Sequence, residues 1–377
     1  MIPIVQEEAL RAAVTPERAV AVVRDAFKAD GEGRTQVPSV INLDIRAARG
    51  EFHVKTAHIE GIPHIGVKIA SGFYDNPSRG LPSGSGLIAL FDAATGLPVA
   101  LLLDNGFLTD IRTGAAGAVA ADYLARREIT TVGVVGSGVQ ARHQVRCLRV
   151  VRTFSRILAW GPTPGRLAAY GVEMSLEGYD VTAASGIEEV CTEADVLITA
   201  TPSAAALVRA AWLRDGVHVT AVGSDSPGKQ ELEPACLDRA DLVVVDRYGQ
   251  CAAFGELKHA LEAGLLTRDD VHGELGAIVA SAKPGRTSDA QITIADLTGV
   301  GVSGHGHRLG RIRMAAYLRS PRGRKSFSSR VEQLRDPGPR HGGQAENWPP
   351  PRCRSIQRPR RQASPGRGSP RRTAGSG

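Results

Sequence analysis

The stretch TVGVVGSGVQARHQ, residues 131–144, decides the fold. It begins as an apolar strand and ends as a helix, with Gly136, Gly138 and Ala141 spaced as GxGxxA between them. In such a turn the first glycine permits a tight bend, the second lets a pyrophosphate approach the backbone, and the small third residue lets helix and strand pack closely. The pattern predicts a dinucleotide-binding loop. A tight strand-to-helix turn without a ligand is the alternative.

The next strand, RILAWG at residues 156–161, lacks the acidic residue that commonly binds the adenosine ribose. It runs into Pro162 and Thr163, and Arg166 follows. An arginine near this position can accommodate the 2′-phosphate of NADP. The sequence therefore indicates a nicotinamide cofactor and leaves NAD and NADP open.

Short apolar strands alternate with helical segments from residue 131 onward, which favours a parallel sheet covered by helices on both faces. These strands lie at 131–136, 156–161, 180–184, 195–201, 218–223 and 241–246. In the first 125 residues a helix begins at Thr15-Pro16 and an alanine-rich helix covers 108–126, with strands at 40–45, 51–59 and 64–71 and a hairpin formed by strands at 86–92 and 98–104. We predict an α/β protein with a mixed α+β domain for substrate binding and dimerisation at 1–125 and a doubly wound Rossmann-type domain at 126–302.

Charge is unevenly distributed along the 377 residues. Residues 303–377 contain 18 basic and 3 acidic residues, whereas the first 302 residues contain 28 basic and 36 acidic residues. The sequence pI of about 9.4 therefore reflects the tail, and the acidic body is not a basic DNA-binding domain. We predict a disordered basic tail at 303–377. We expect no nucleic-acid partner, because the tail has only Tyr317, Phe327 and Trp348 to support base recognition.

The sequence argues against a metal or disulfide framework, a signal peptide and a membrane span. No CxxC pair is present, so we expect free thiols, without a metal site or disulfides, at Cys147, Cys191, Cys236, Cys251 and Cys353. The N-terminal MIPIVQEEAL has acidic residues where a signal peptide needs basic ones. The longest apolar stretch is interrupted by Asp92, so no membrane span is expected. We expect a cytoplasmic protein.

Five ordered motifs resemble the ornithine cyclodeaminase and mu-crystallin family. They are GVKIASGFYDNPSRGLPSGSGLIALFDAATGLP (66–98), LLLDNGFLTDIRTGAAGAVAA (101–121), GVVGSGVQA (133–141), AVGSDSPGKQEL (221–232) and ITIADLTGVGV (292–302). The resemblance covers residues 1–302. Within the family, GELKHALEAGLL (255–266) and VKTAH (54–58) are similar to cyclodeaminase-like proteins of ectoine utilisation.

The resemblance implies an NAD-dependent enzyme that oxidises the carbon bearing an α-amino group and so forms an imine. A cyclodeaminase then closes a ring by attack of the distal amine, loses ammonia and returns the hydride, as in the conversion of L-ornithine to L-proline. We predict this reaction on a small diamino acid, by a homodimer. An NAD(P)-dependent imino-acid reductase or amino-acid dehydrogenase is the alternative within the family. A ligand-binding module without catalysis is the alternative from another class.

Two cations are candidates for binding the substrate carboxylate. Lys68 and Arg112 lie in apolar sequence, where an unpaired charge would be costly and a substrate carboxylate would pair them. Ion pairs with Asp104 or Asp110 are the alternative. In the family the lysine position binds substrate, and the arginine lies between substrate and cofactor. Arg46 is a third substrate-binding candidate.

Asp225 follows an apolar strand, at the sheet edge where ligands of doubly wound folds bind. By resemblance it is the catalytic acid/base, and a turn or capping aspartate is the alternative. Some ornithine-specific family members have a glutamate where this chain has Lys55, and a lysine cannot bind a distal amine as that carboxylate does. The cofactor contacts are expected at Gly136, Ser137, Gly138, Val139, Gln140, Ala141, Thr109, Ser83, Lys229 and Thr163.

The chain departs from the family pattern after Val302. Family members usually continue with a segment close to QDTAIA, which begins a helix returning to the first domain, whereas this chain reads SGHGHRLGRIR at 303–313. Codons permitted for that segment, read one nucleotide later, encode Gln-Asp-Thr-Ala-Ile-Ala. We therefore predict that the tail arises from a shift of the reading frame.

Overall fold

Two large β-sheets with a helix between them, and a small two-stranded sheet, form the framework of the part of the chain that this computed structural model describes, residues 2–301. The predicted tail and Cys353 lie outside that range. The helices are α1 (Glu7–Arg11), α2 (Pro16–Gly31), α3 (Phe107–Leu124), α4 (Val139–Val151), α5 (Pro164–Leu176), α6 (Ile187–Glu193), α7 (Pro234–Arg239), α8 (Tyr248–Phe254), α9 (Glu256–Glu262) and α10 (Leu275–Val279). Helix α2 begins as predicted, with the Thr15 side chain accepting a hydrogen bond from the backbone N–H of Arg18.

The first sheet has seven strands in the order β1-β7-β6-β5-β4-β2, with β3 also paired to β4. Neighbours are antiparallel except for β1 and β7, and β6 and β7 form the predicted hairpin. The strands are β1 (Ile4–Gln6), β2 (Thr35–Gln36), β3 (Ile41–Ile45), β4 (Gly50–Ile59), β5 (His64–Phe73), β6 (Gly84–Asp92) and β7 (Pro98–Leu103).

The two faces of this sheet are both largely apolar, but only the inner one is covered. Inner residues such as Ile88, Leu90 and Leu102 are buried against the helices. Outer-face residues alternate with them along the strands and remain partly accessible, among them Phe52, Val54, Val67, Ile69, Leu87 and Leu101. On β3, Ile41 and Leu43 are 60% and 54% exposed. The outer face is thus an apolar surface that the described residues leave uncovered.

The second sheet has eight parallel strands in the order β10-β9-β8-β11-β13-β17-β15-β16, which confirms the predicted doubly wound α/β fold. Its strands are β8 (Thr131–Val135), β9 (Arg156–Trp160), β10 (Val181–Ala183), β11 (Val196–Thr199), β13 (His218–Ala221), β15 (Leu242–Val245), β16 (Gly273–Glu274) and β17 (Thr293–Asp296). A separate parallel pair consists of β12 (Ala204–Val208) and β14 (Gln230–Leu232). The strand order reverses between β8 and β11, where doubly wound folds bind ligands beyond the carboxyl ends of the strands.

Helix α3 links the two sheets. It is buried on nearly every side, as its alanine-rich sequence allows, and belongs to the same apolar core as the inner face of the first sheet. Its glycines let α4 approach closely, since a Cβ at Gly114 would lie 2.4 Å from the backbone oxygen of His143. This contact fixes the phosphate-loop helix against the helix that carries Arg112. Within residues 2–301, no helix is long and apolar enough to cross a membrane.

Candidate functional site

The loop between β8 and α4 has two glycines with different structural roles. Gly136 has a φ of +124°, and a Cβ there would lie 2.6 Å from the carbonyl oxygen of Ala200, so only glycine fits. Gly138 precedes α4, and a Cβ there would meet no atom within 4 Å. Gly138 thus borders open space at the N-terminus of α4, whose first backbone N–H groups lack helical partners. That arrangement suits a phosphate group.

Side chains of α4 fasten this loop to its surroundings. Arg142 Nη1 donates hydrogen bonds to the carbonyl oxygens of Ser137 and Gly138, at 2.8 and 3.0 Å. Gln140 Nε2 donates to Asp110 Oδ1 on α3, at 2.9 Å. Val139, one of the predicted cofactor contacts, is 54% exposed beside the open space. These contacts tie the loop to α3 and α4 without a ligand.

The end of β9 has the character expected from the sequence. Thr163 is the exposed N-cap residue of α5, and Arg166 is exposed in its first turn. No carboxylate follows Trp160 before the helix begins. This strand end therefore has no carboxylate that would repel the 2′-phosphate of NADP.

A cleft of about 290 Å³ separates the first sheet from the loops of the second sheet. Strands β4 and β5 form one wall of the cleft, and α3, the start of α4 and the segment after β13 form the other. Six of the fourteen predicted site residues line this cleft, namely Lys68, Ser83, Thr109, Arg112, Gln140 and Asp225. The fold thus brings substrate-binding, catalytic and some cofactor-binding candidates to one place.

Three buried cations line the cleft. Lys55, Lys68 and Arg112 are 9%, 4% and 7% exposed. Lys55 on β4 lies directly opposite Lys68 on β5, and its Nζ donates to the carbonyl oxygen of Gly299 at 2.7 Å. Burial lowers the pKa of all three groups, that of Lys55 to about 8, and Arg112 lowers it further for both lysines. An anion entering the cleft would relieve this cost.

The alternative for Lys68, an ion pair with Asp104 or Asp110, is not formed. Asp104 Oδ2 accepts a hydrogen bond from the backbone N–H of Leu108 at 2.9 Å, and Asp110 accepts the one from Gln140. Burial raises the pKa of Asp110 to about 6. Among residues 2–301, no carboxylate lies within ion-pair distance of Lys68. Its charge is available to a ligand.

Asp225 lies in the segment after β13 and faces the cleft with its side chain 46% exposed. Its Oδ1 accepts a hydrogen bond from Lys229 Nζ at 2.7 Å. The same ammonium donates to the hydroxyl of Tyr74 at 3.0 Å and lies 3.7 Å from Glu51 Oε1. Burial lowers the pKa of Lys229, but Asp225, Tyr74 and Glu51 outweigh burial and raise it. Lys229 therefore interacts with the acid/base candidate, and its contact with a cofactor stays a prediction.

The sequence reasoning missed Glu51, His53 and Tyr74. Glu51, His53 and Lys55 occupy alternate positions on β4, so their side chains lie on the same face of the strand and line the cleft. This alternation was the sequence signal that could have identified Glu51 and His53. Tyr74 donates to Glu51 Oε1 at 2.5 Å. Burial raises the pKa of Glu51, but His53, Lys229 and Tyr74 together lower it to about 2. Glu51 is therefore an ionised carboxylate that already has its partners.

A buried glutamate on β14 holds the segment that carries Asp225. Glu231 accepts hydrogen bonds from the Thr199 hydroxyl at 2.7 Å, from the Thr201 N–H at 2.5 Å and from the Gly223 N–H at 2.9 Å. It thereby joins the end of β11 to the end of β13, next to the turn at Gly136. The sequence gave no signal for this contact, because the donors lie 8 to 32 residues away.

Arg46 is the substrate-binding candidate that the structure does not bring to the cleft. It lies in a 3₁₀ turn, Arg46–Ala48, directly after β3. Its side chain is 90% exposed and its Nε donates to Asp44 at 2.9 Å. The guanidinium therefore lies in solvent, and substrate binding by Arg46 stays a prediction that the arrangement of this chain does not support.

Four of the five cysteines lie within the described residues. Cys147, Cys191, Cys236 and Cys251 are buried free thiols. Residues 2–301 contain no group of three or more His, Cys, Asp or Glu side chains placed to hold a metal ion.

Comparison with known proteins agrees with this architecture. A curated relative, an uncharacterised cyclodeaminase of Sinorhizobium fredii, is 44% identical over 286 residues, which cover 75% of this chain and 86% of the relative. The Δ1-pyrroline-2-carboxylate reductase of Thermococcus litoralis, solved with NADH and L-proline, superposes with a TM-score of 0.79 at 27% identity. The match covers 82% of this chain and 96% of that one.

An archaeal alanine dehydrogenase, solved as a dimer with bound NAD, has a TM-score of 0.76 and 32% identity, over 82% of this chain and 94% of that one. Similar proteins also include an iminosuccinate reductase of Paracoccus denitrificans and a lysine cyclodeaminase. The profile of the ornithine cyclodeaminase/mu-crystallin family matches residues 4–305. The glycine loop, the cation-lined cleft and these matches lead to one conclusion: the chain belongs to the ornithine cyclodeaminase/mu-crystallin family.

Proposed function

We propose that this protein is an NAD(H)-dependent enzyme that interconverts the amino and imino forms of a small α-amino acid. One observation carries the proposal: Lys68, Arg112 and Asp225 line a single cleft that Gln140 of the phosphate-loop helix also lines. A cationic site for the substrate carboxylate, a proton acceptor and a dinucleotide site are the three elements that this reaction requires. In this proposal residues 1–125 bind substrate and form the dimer, and residues 126–302 bind the dinucleotide.

The glycine loop fits a dinucleotide. The open space beside Gly138 and the N-terminus of α4 would receive the pyrophosphate, with Arg142 keeping the loop in place. The bound nicotinamide supplies or accepts the hydride. The NAD(H)-bound neighbours support NAD, and the uncharged end of β9 leaves NADP open.

Residues of the cleft would bind the substrate carboxylate and transfer the proton. Lys68 and Arg112 would bind the substrate carboxylate, the arginine through two parallel hydrogen bonds. When an amino acid gives up a hydride from its α-carbon and a proton from its nitrogen, Asp225 would accept that proton, and it would return it in the reverse direction. Lys229, 2.7 Å from Asp225, would hold the carboxylate in place.

A cyclodeaminase acting on a diamino acid, such as ornithine or a diamino acid of ectoine utilisation, is the second candidate. The 44% identity to an uncharacterised cyclodeaminase favours it, and so does the carboxylate of Glu51 in the cleft, which is the type of group that binds a distal ammonium.

Turnover assays with NAD(H) and NADP(H) distinguish the two candidates. A reductase or dehydrogenase changes the NADH concentration in proportion to product, whereas a cyclodeaminase releases ammonia with no net change in NADH.

Lys68→Ala and Arg112→Ala should each weaken substrate binding. The carboxylate assignment fails if the substrate amide inhibits the wild-type enzyme as well as the acid does.

We further propose that the outer face of the first sheet is the surface of a homodimer. Large uncovered apolar faces are uncommon on monomers, and the archaeal alanine dehydrogenase is a dimer. Light scattering should give twice the chain mass, and Leu43→Lys on β3 should shift the population toward monomer. A monomeric wild-type protein at micromolar concentration contradicts this assignment.

A further inference from the structure

Three cations and three carboxylates line the cleft, and the carboxylates are Glu51, Asp110 and Asp225. Glu51 and Asp225 both interact with Lys229, the first at 3.7 Å and the second at 2.7 Å, and Asp110 accepts a hydrogen bond from Gln140. Within residues 2–301, neither Lys55 nor Lys68 has a carboxylate within ion-pair distance, although both are at least nine-tenths buried. A buried charge without a counter-ion costs several kcal/mol in general. A ligand that contacts these two lysines is therefore expected to be anionic.

One carboxylate does not account for all of this charge. Arg112 with Lys68 is already a complete site for a single carboxylate, because a guanidinium alone can donate two parallel hydrogen bonds. Lys55 is a third cation, and its one hydrogen bond within the described residues is to the neutral carbonyl oxygen of Gly299. Lys55 can therefore pair with a second anionic group.

The position of Lys55 suits a second carboxylate on the same substrate. Lys55 and Lys68 lie opposite each other on the antiparallel strands β4 and β5, on the face that lines the cleft. Side chains so paired start about 5 Å apart at their Cβ atoms. Two carboxylates joined by a short carbon chain can therefore contact both ammonium groups at once.

We propose that the substrate is an α-amino or α-imino dicarboxylate with a chain of four or five carbons, and that Lys55 binds its distal carboxylate. This proposal rests on the proposed function above. In the reducing direction a 2-oxo dicarboxylate condenses with ammonia and loses water to give the imine, which then takes a hydride from NADH and a proton to give the amino dicarboxylate and NAD⁺.

A distal ammonium group is disfavoured at this position. It would lie beside Lys55, which repels it, and the nearest alternative is Glu51, which already has Tyr74 and Lys229 as partners. A diamino acid would therefore have to displace existing interactions, whereas a dicarboxylate would supply a missing one.

The test compares two substrates of different charge. Oxaloacetate and pyruvate, each with ammonium and with NADH or NADPH, are assayed for reductive amination, and the ratio of their kcat/KM values is measured. The wild-type enzyme should favour oxaloacetate by roughly 10- to 100-fold, the range of one charged hydrogen-bonded pair. Lys55→Met should lower this ratio toward one. Lys55→Arg, which keeps the charge, should retain most of the preference.

The matched control is Lys28→Met on α2, where the lysine is 56% exposed and distant from the cleft, and its ratio should equal that of wild type. Equal or faster turnover of pyruvate, or an unchanged ratio in Lys55→Met, overturns the dicarboxylate proposal and leaves the proposed function standing. Ammonia release from ornithine or 2,4-diaminobutyrate without net NADH change overturns it in favour of the cyclodeaminase. If neither imine nor amino acid is turned over, the proposed function fails with it.

Discussion

A side chain at Gly136 would disturb the phosphate loop, whereas a side chain at Gly138 would only fill the space beside it. Gly138→Val should fold normally, because nothing lies within 4 Å of the added Cβ, and should lose NAD(H) binding, because the side chain fills the space beside the loop. Binding is measured by fluorescence titration. Gly171→Val on α5, where a Cβ also meets open space, is the control and should bind normally. Unchanged affinity in folded Gly138→Val would refute the placement of the pyrophosphate.

Asp225 is tested by an isosteric change. Asp225→Asn should keep the fold and substrate binding while kcat falls by roughly 10²- to 10⁴-fold, the usual contribution of a general acid or base. Steady-state kinetics with saturating cofactor measure the loss. Asp238→Asn, at an exposed position on α7, should have no effect. A rate within threefold of wild type would show that Asp225 is only a turn residue.

Individual site residues were predictable to different degrees. Lys68, Arg112 and Asp225 stand out because a charged side chain beside an apolar strand is costly to bury unless a partner or a ligand pairs it. Glu51 and Tyr74 did not stand out, because their roles depend on contacts with Lys229, more than 150 residues later in the chain. Pairing between distant segments is fixed by the fold and leaves no local pattern.

At the scale of elements, the contact between α3 and α4 is the least tolerant of added volume. Gly114→Ala would place a Cβ 2.4 Å from a backbone oxygen of α4, so the helices must separate, and we expect a loss of about 1–3 kcal/mol in unfolding free energy. Gly171→Ala on α5 has open space and should gain about 0.5–1 kcal/mol from helix propensity. Chemical denaturation measures both. Equal effects of the two substitutions would contradict the close contact.

Most helices and strands were predicted from the sequence, and the strands that were missed are short or have no strand pattern. The βα units and the β6–β7 hairpin were predicted, because strand and helix periods are local. Strands β1, β2, β14 and β16 were missed, since each has only two or three residues, and β12 was missed because an alanine-rich pentamer has no strand pattern. Strand β17 was missed as well, and its place within the sheet was unpredictable, because strand order depends on tertiary packing and not on local composition.

At the scale of the whole molecule, buried ionisable groups should make stability depend on pH. His218 is fully buried, with its ring nitrogens 2.9 Å from the Thr293 hydroxyl and 3.0 Å from the Thr220 hydroxyl. Burial lowers its pKa to about 3, and Arg286 and Arg152 act in the same direction. The unfolded chain takes up this proton near pH 6.5, so the contribution of His218 to stability is complete above pH 6.5 and is lost as the pH falls toward 3.

Replacing this histidine tests the effect. In His218→Gln the slope of the unfolding free energy against pH, between pH 6 and 4, should differ from the wild-type slope by about 1.4 kcal/mol per pH unit. The difference isolates His218 from acidic groups such as Glu231 and Asp296, whose pKa values burial raises to about 7 and whose effect has the opposite sign. Parallel slopes would mean that His218 is protonated in the folded protein.

The reading frame beyond Val302 is a separate question. The family match ends at residue 305, close to the point where the sequence becomes basic. Resequencing the gene around codon 303 should show that the other frame encodes Gln-Asp-Thr-Ala-Ile-Ala or a close variant. If it does not, the tail needs a function of its own.

The last strand of the described chain, β17, lies in the interior of the eight-stranded sheet, between β13 and β15. During synthesis on the ribosome this sheet therefore cannot close until residue 296 has emerged. Until then β13 and β15 each expose an unpaired edge, which is the kind of surface that associates with other chains. Nascent chains halted before residue 293 should consequently depend on chaperones, whereas chains released after 296 should not.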